Sequence, residues 1–132
     1  ELLASPPRIA AATPRERAVL GYLSINCGIC HNADGPLAEI GMHLKQPAYS
    51  TAEVNAALRT TVGVPASWHI PGGPMPSHRV IPGAADLSAL MVRMRSRRPA
   101  SQMPPLGTRE IDALGLAVLA RHFNLNLPEK SP

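Results

Sequence analysis

The stretch Cys27-Gly28-Ile29-Cys30-His31 decides how the rest of this 132-residue sequence is interpreted. Two thiols three positions apart, at the end of one helical turn, can each add to a vinyl group of a haem and form a thioether bond. The imidazole next to the second thiol then lies beneath the ring and can bind the iron from one face. A Cys-x-x-Cys-His run therefore predicts a covalently attached c-type haem, held by Cys27 and Cys30 and ligated by His31.

Other sites also use two cysteines at this spacing. A thioredoxin-like redox pair, half of a zinc site and a plain disulfide are the three alternatives. A zinc site needs two more ligands at short spacing, and the chain has no third cysteine. A thioredoxin-like site would follow a strand in a βαβ unit, and the sequence shows neither. We therefore favour haem attachment, as a hypothesis that awaits its structural context.

Large core-forming side chains are scarce in this chain. Aromatic residues make up 3% of it, with one Trp, one Phe and two Tyr. Its length fits a single domain. A haem would supply the missing apolar volume, because its broad flat ring would become the centre of the core. The composition therefore agrees with the motif, although alone it would not suggest a cofactor.

The formal net charge is +4, and basic residues gather at Arg93, Arg95, Arg97 and Arg98. One interpretation is a solvated helix face followed by a loop. The other is a docking patch for an acidic redox partner, since complementary charge accelerates encounter. Nucleic-acid binding is disfavoured, because no recognised fold or aromatic interleaving supports it. We favour the solvated face, because charge balance bears on association rather than on identity.

The expected setting of the protein follows from the haem. No apolar stretch in the sequence has the length needed to cross a bilayer. No signal peptide is visible, and Glu1 is not a start residue, so we expect a processed or trimmed chain. Thioether attachment of haem takes place outside the cytoplasm in bacteria. We therefore expect a periplasmic or otherwise exported protein whose signal peptide has been removed.

The run Thr13-Pro14-Arg15-Glu16 predicts the start of a first helix. Thr13 can cap it, Pro14 suits the first helical position, and Glu16 can reach back as the third member of a capping box. Residues 1–13, rich in Ala and Pro, are predicted to be a lead-in or linker. The apolar side of the helix is expected at Val19, Leu20 and Leu23. This helix leads directly into Cys27 and would support the attachment site.

Three further helices and one long loop are predicted. One helix starts at Thr51, a short one covers residues 86–94, and the last starts at Thr108. Residues 63–83 are crowded with Pro and Gly, and a loop of this length is usually functional or mobile. Trp68 in this loop can donate its indole N–H to a haem propionate or simply pack, and packing is the more common role. The apolar residues of the last helix are Ile111, Leu114, Leu116, Val118, Leu119 and Phe123.

The residues after the motif resemble those of class I c-type cytochromes. In that family a proline a few residues beyond the attached histidine accepts a hydrogen bond, through its backbone carbonyl, from the second ring nitrogen of that histidine. Pro36, in the run Asn32-Ala33-Asp34-Gly35-Pro36-Leu37, resembles this proline. A metal-bound imidazole usually has its other N–H fixed by an outer partner. A simple turn at Gly35-Pro36 is compatible with the same role.

A second run is similar to a pattern that recurs in bacterial cytochrome c domains. It extends from Val80-Ile81-Pro82-Gly83 through Ser88 and Leu90 to Met103-Pro104-Pro105. The resemblance spans residues 14–123 through its motifs, and the stretch 41–78 matches least. It implies an all-α cytochrome c fold of about four to five short helices around one haem. The first and last helices would pack across each other, in a domain over 14–123 with a tail over 124–132.

The second axial ligand is expected among the five methionines. Met91 and Met94 lie one helical turn apart, which is typical of core residues. Met75, in Pro74-Met75-Pro76, is a rival. Met103 lies in a proline-braced loop just before the last helix, where the family places its axial thioether. Prolines also keep a weak iron–sulfur bond formed at a small ordering cost, so we favour Met103.

These expectations define three functional hypotheses. Ligation by His and Met fills both axial positions and raises the reduction potential, so the first is an electron carrier that is not an enzyme and serves a redox protein partner. The second is a haem subunit or excised domain of a larger oxidoreductase of the quinoprotein or sugar dehydrogenase type. The third is a ligand-binding or sensing haem with a labile sixth site.

Overall fold

The computed structural model describes residues 8–47 and 55–125, and in these ranges it is helical, with isolated β-bridges and no strand. The chain divides into two compact units, residues 1–60 and 61–132. The first unit contains helices α1 (Pro14–Asn26) and α2 (Ala56–Arg59), and the second contains α3 (Ala89–Arg95) and α4 (Ala113–Leu125). Two short 3₁₀ turns, Ala38–Ile40 and Ala85–Leu87, complete the regular structure. The predicted all-α class is confirmed at this level.

The start of α1 agrees with its sequence signals. Thr13 has extended backbone angles and its hydroxyl accepts the N–H of Glu16 at 3.0 Å, while Pro14 occupies the first helical position. Glu16 differs from the expected capping box in one detail, because its carboxylate accepts the N–H of Ala12 at 3.1 Å instead of that of Thr13. The cap therefore also ties down the last residues of the predicted lead-in, whose residues 1–7 lie outside the described ranges.

One side of α1 faces the interior of the first unit. Val19, Leu20 and Leu23 are fully buried, as their helical spacing predicts. Leu44 and Ala57 are the other buried apolar side chains in the described part of this unit. The helix is therefore anchored along the turns that precede the cysteine motif.

Helix α2 is shorter than the sequence indicates. Asn55 has extended backbone angles, and its side chain accepts the N–H of Ala57 at 2.9 Å, so it caps a helix that begins at Ala56. In the described residues this helix therefore begins at Ala56, five residues after the predicted start at Thr51. Residues 51–54 themselves lie outside the described ranges.

The loop of residues 63–83 contains no helix or strand, as predicted, but it is well bonded. Val62 and Val80 form a parallel bridge, and Pro65 and His78 an antiparallel one. Three backbone hydrogen bonds of 2.8–2.9 Å join residues 63–66 to residues 77–80. Ser77, fully buried, accepts the N–H of Ile70 and closes the tip. The loop therefore has a defined conformation, with its two ends joined by backbone hydrogen bonds.

The short helix predicted over residues 86–94 is confirmed as a 3₁₀ turn followed by α3. The hydroxyl of Ser88, at the junction, is fully buried and accepts the N–H of Ile81 at 2.8 Å. Ala89 and Met91 are buried on α3, which agrees with the expected core role of Met91. The Val80-Ile81-Pro82-Gly83 run is thereby joined to the helix that follows it.

Helix α4 starts five residues later than predicted. Asp112 accepts the N–H of Gly115 through its carboxylate at 2.8 Å, so the helix is capped there and not at Thr108. Its buried side is formed by Gly115, Leu116, Leu119, His122 and Phe123. The helix continues to Leu125, and Asn124 accepts the N–H of Ala85 at 2.9 Å. The first two residues assigned to the tail therefore belong to α4, and residues 126–132 lie outside the described ranges.

Some of the apolar residues assigned to the last helix are exposed. Leu114 and Val118 are exposed on α4, Leu114 by 82%. Ile111 is also exposed, and it precedes the observed start of the helix. In the described ranges, no helix is both long enough and apolar enough to cross a membrane.

Candidate functional site

The Cys27–His31 turn continues the hydrogen bonding of α1 beyond the end of that helix. The N–H of Cys27 bonds the carbonyl of Leu23 at 3.0 Å, and the N–H groups of Cys30 and His31 bond the carbonyl of Cys27 at 3.1 and 2.9 Å. Cys27 is half-buried, Cys30 is exposed, and His31 is only 8% exposed. The helix thus presents both thiols and the imidazole on one backbone turn of fixed geometry.

Residues 43–46, which we call the crossing segment, run over this turn. The N–H of Leu44 bonds the carbonyl of His31 at 2.8 Å, and the N–H of Gln46 bonds the hydroxyl of Ser24 at 2.9 Å. A Cβ at Gly28 would lie 2.9 Å from the Cα of Lys45 and would also collide with the carbonyl oxygen of Ser24. The first residue between the two cysteines is therefore a glycine because backbone passes directly over it.

The crossing segment is in turn bonded to the start and end of α2. The side-chain amides of Gln46 and Asn55 form a reciprocal pair at 2.6 and 3.1 Å. The N–H of His43 bonds the hydroxyl of Thr60 at 3.1 Å. Sequence reasoning missed this support, because no local periodicity connects residues 24–31, 43–46 and 55–60.

The two cysteines are free thiols with different surroundings. Burial, and to a lesser extent the neighbouring Cys30, raises the pKa of Cys27 from 9.0 to about 11. Redox cysteines of the thioredoxin type have lowered pKa values, often at the start of a helix. Here the thiols follow the C-terminal end of α1, where the helix dipole disfavours a thiolate. The geometry argues against the thioredoxin-like alternative, and the plain disulfide is not formed.

These residues fit the attachment of a haem. Thioether formation needs two reduced sulfurs on one turn, and axial ligation needs an imidazole next to the second; Cys27, Cys30 and His31 meet both needs. In residues 8–47 and 55–125, no three His, Cys, Asp or Glu side chains are grouped so as to hold a metal ion.

The turn after His31 is organised by Asn32, which sequence reasoning did not single out. Its side-chain N–H groups donate to the carbonyls of Gly28 and Ile29 at 2.8 and 2.9 Å, and its oxygen accepts the N–H of Asp34 at 3.0 Å. An Asn at this place is a common turn former, which is the signal that would have found it. Pro36 lies exposed in the following turn, and its hydrogen bond to the imidazole stays a prediction.

Met103 lies in the second unit, in a loop held by backbone bonds. Its N–H donates to the carbonyl of Arg93 at 3.0 Å, and the N–H of Gln102 donates to the carbonyl of Arg98 at 2.8 Å. The side-chain amide of Gln102 bonds the carbonyl of Pro105 at 2.7 Å. Met103 is half-buried, whereas the rival Met75 is 68% exposed at the tip of its loop.

Trp68 is paired with Arg93. The guanidinium carbon of Arg93 lies 5.1 Å from the centre of the indole ring, which is cation–π distance. Burial lowers the pKa of Arg93. The structure thus gives Trp68 a packing partner within its own unit, and the propionate contact stays a prediction.

The other arginines of the basic cluster are also engaged. Arg95 forms an ion pair with Asp86 at 2.6 Å, and Arg97 donates to the carbonyl of Glu110 at 2.7 Å. Arg98 is exposed. The cluster is therefore a mixture of structural and solvated side chains, and the solvated-face interpretation applies to only part of it.

Comparisons of this chain with protein-family models, with curated proteins and with solved structures find no match.

Proposed function

We propose that this chain is a monohaem c-type cytochrome that carries electrons between redox proteins. The main support is one arrangement, in which two free thiols and a largely buried imidazole share a turn fixed by hydrogen bonds. Under this proposal Cys27 and Cys30 hold haem c through thioether bonds, and His31 and Met103 are the axial ligands of its iron. The helical architecture is compatible with the cytochrome c fold that belongs to this proposal.

The bound haem would supply a one-electron iron couple, and the chain's own residues would hold it in a constant environment. The carbonyl of Pro36 would orient the His31 imidazole by accepting its second N–H. The thioether of Met103 would fill the second axial position, and Trp68 remains a candidate contact of the cofactor. With both positions filled by side chains, no substrate or gas has to bind, which suits a carrier that catalyses no substrate chemistry.

The setting and partners belong to the same proposal. Thioether attachment of haem implies export to the bacterial periplasm, where the carrier would meet its donor and acceptor through a small transient contact. The partner would be a dehydrogenase, an oxidase or another cytochrome.

An exposed apolar surface favours a second candidate function. Leu114, Val118 and Leu125 are exposed on α4, the last by 66%. Exposed apolar side chains that repeat along one helix can mark contact with another protein. The same haem site would then act as the electron-transfer subunit or domain of a larger oxidoreductase. A native mass above that of the chain, measured on protein purified from its source, would favour this candidate over the free carrier.

The primary experiment is an optical spectrum of matured protein together with its intact mass. A pyridine haemochrome spectrum of the c type, and a mass greater than that of the polypeptide by one haem, are the expected results. A colourless protein with the mass of the bare chain would refute the proposal. Rapid carbon monoxide binding to the reduced protein at neutral pH would favour the sensing alternative.

The axial assignment is tested by a matched pair of variants. Met103→Ala should abolish the sulfur-to-iron charge-transfer band and lower the reduction potential, because a thioether ligand raises that potential. Met75→Ala, which removes an exposed methionine, should leave both unchanged. The reverse pattern would assign the sixth position to Met75.

A further inference from the structure

Arg93 connects three parts of the second unit. It lies near the end of α3, and its guanidinium lies over the ring of Trp68 in the loop of residues 63–83. Its Nε donates to the carbonyl of Ser101 at 3.2 Å, and its own carbonyl accepts the N–H of Met103 at 3.0 Å. We call residues 96–105 the methionine loop. Arg93 therefore bonds this loop at Ser101 and at Met103, and it also contacts Trp68.

These contacts are of a kind that fixes a loop. Ser101 and Met103 lie two residues apart, so bonds to both hold the backbone on each side of Gln102. The Arg93 side chain is half-buried, and a charged donor makes a stronger hydrogen bond than a neutral one. The Trp68 ring covers the guanidinium and limits the directions in which it can point. Contacts within the chain thus fix the conformation of residues 101–103.

We infer that Arg93, held by Trp68, is a positioning residue that presents the Met103 thioether as the sixth ligand. The inference rests on the proposed function and adds a second role for Trp68 within it. Iron–thioether bonds are weak, so the fraction of protein with Met103 bound depends on how much order the loop has beforehand. Loss of the Arg93 side chain would keep the backbone bond between Met103 and position 93 but remove the bond to Ser101 and the contact with Trp68. The loop would then be less ordered and Met103 would leave the iron more readily, while His31, in the other unit, keeps its own support.

The experiment measures access to the sixth position in the matured protein. Imidazole is titrated into oxidised wild type, Arg93→Gln and Arg95→Gln, and the sulfur-to-iron band is followed. Arg95 is the matched control, because it lies on the same helix but forms only an exposed ion pair. Because imidazole competes with Met103, we expect Arg93→Gln to bind it about tenfold more tightly, and Arg95→Gln to match wild type.

A second readout does not depend on added ligand. Amide hydrogen exchange in the same proteins should be faster at Met103 in Arg93→Gln and unchanged in Arg95→Gln. Milder variants guard against misfolding of Arg93→Gln. Arg93→Lys keeps the charge but lacks the planar donor to Ser101, and Trp68→Leu removes the ring. Each should increase imidazole affinity by a smaller factor than Arg93→Gln.

The outcomes separate this inference from the proposed function. Unchanged imidazole affinity in all three variants, with a lower unfolding midpoint, would mean that Arg93 and Trp68 only stabilise the fold, and would overturn the inference alone. A wild-type protein that contains haem but lacks the sulfur-to-iron band would overturn the assignment of Met103 and the inference with it. A wild type without haem would overturn the proposed function itself.

Discussion

Replacement of Ser77 by alanine tests whether the loop of residues 63–83 is an ordered part of the protein. Ser77 is fully buried, and its hydroxyl accepts the N–H of Ile70 at 2.9 Å and donates to the carbonyl of Pro74 at 3.2 Å. Alanine removes both bonds and leaves a donor and an acceptor without this partner. Because Ile70 is only half-buried, we expect a loss of about 1–2 kcal/mol in the free energy of unfolding.

The assay is urea unfolding of the matured protein, combined with amide hydrogen exchange at Ile70. Ser67→Ala is the control, because Ser67 is an exposed serine in the same loop, and its change should stay within about 0.5 kcal/mol. The Ile70 amide should exchange faster in Ser77→Ala alone. If the two variants had equal unfolding free energies and equal exchange rates, the bonds assigned to the Ser77 hydroxyl would not hold the loop.

The same variant bears on the axial ligand. Met75 lies in the tip that Ser77 closes, so a looser tip would disturb an iron bond made by Met75. Met103 lies outside that tip and is held by Arg93. The sulfur-to-iron band should therefore survive Ser77→Ala unchanged. Its loss in this variant would point to Met75 as the ligand.

Three further outcomes are expected. Gly28→Ala should destabilise the protein by about 1–3 kcal/mol in urea unfolding, because backbone of the crossing segment blocks the new methyl group. Gly21→Ala in the middle of α1 is the control: its methyl group would meet nothing closer than 3.7 Å, and it should stabilise the protein by about 0.5–1 kcal/mol. Equal unfolding free energies of the two variants would contradict the close approach of backbone at Gly28. Cys27→Ala or Cys30→Ala should sharply lower the yield of holoprotein, and an unchanged yield would argue against thioether attachment. In the haem-free chain, iodoacetamide should modify the exposed Cys30 before Cys27. The rate of modification of Cys27 should keep rising as the pH approaches its pKa of about 11, because the thiolate is the reactive form. Equal modification rates of the two cysteines at pH 8 would contradict the burial of Cys27.

The parts of the fold that sequence predicted well are set by neighbouring residues. Thr13 and Pro14 act within the first turn of α1, and Val19, Leu20 and Leu23 follow the helical period on one side. The proline- and glycine-rich composition of residues 63–83 excludes regular structure in the same local way. Such features need no knowledge of distant residues, so one sequence is enough to predict them.

The predicted helix starts differ from the observed ones where two nearby residues can each cap the same helix. Thr108 and Asp112 can both cap the last helix, and the carboxylate of Asp112 is the one that bonds the N–H of Gly115. Asn55 similarly caps α2 four residues after the threonine that was expected to do so. Spacing alone also could not tell which apolar residues of α4 are covered, because coverage depends on what packs against each side.

The candidate site shows the same division between local and distant information. The motif itself could be read directly, since its chemistry lies within five consecutive residues. The crossing segment could not be predicted from neighbouring residues, because Leu44 and Gln46 bond residues 13 and 22 positions earlier in the chain. The requirement for glycine at position 28 became clear only with that segment in place.

The two proposed axial ligands are supported in different ways, and this difference bears on how the protein would respond to stress. The N–H of His31 bonds the carbonyl of Cys27 four residues earlier, just beyond α1, and its carbonyl accepts the N–H of Leu44 in the crossing segment. Met103 depends on Arg93, ten residues earlier, and on the Trp68 ring that covers Arg93. A hydrogen bond between distant segments is lost whenever either segment moves, whereas the bond from His31 to Cys27 lies within a single turn of the chain. A bond from the iron to the Met103 thioether would also be weaker than one to the His31 imidazole. Substitutions far from the iron should therefore affect the reduction potential most when they disturb the support of Met103.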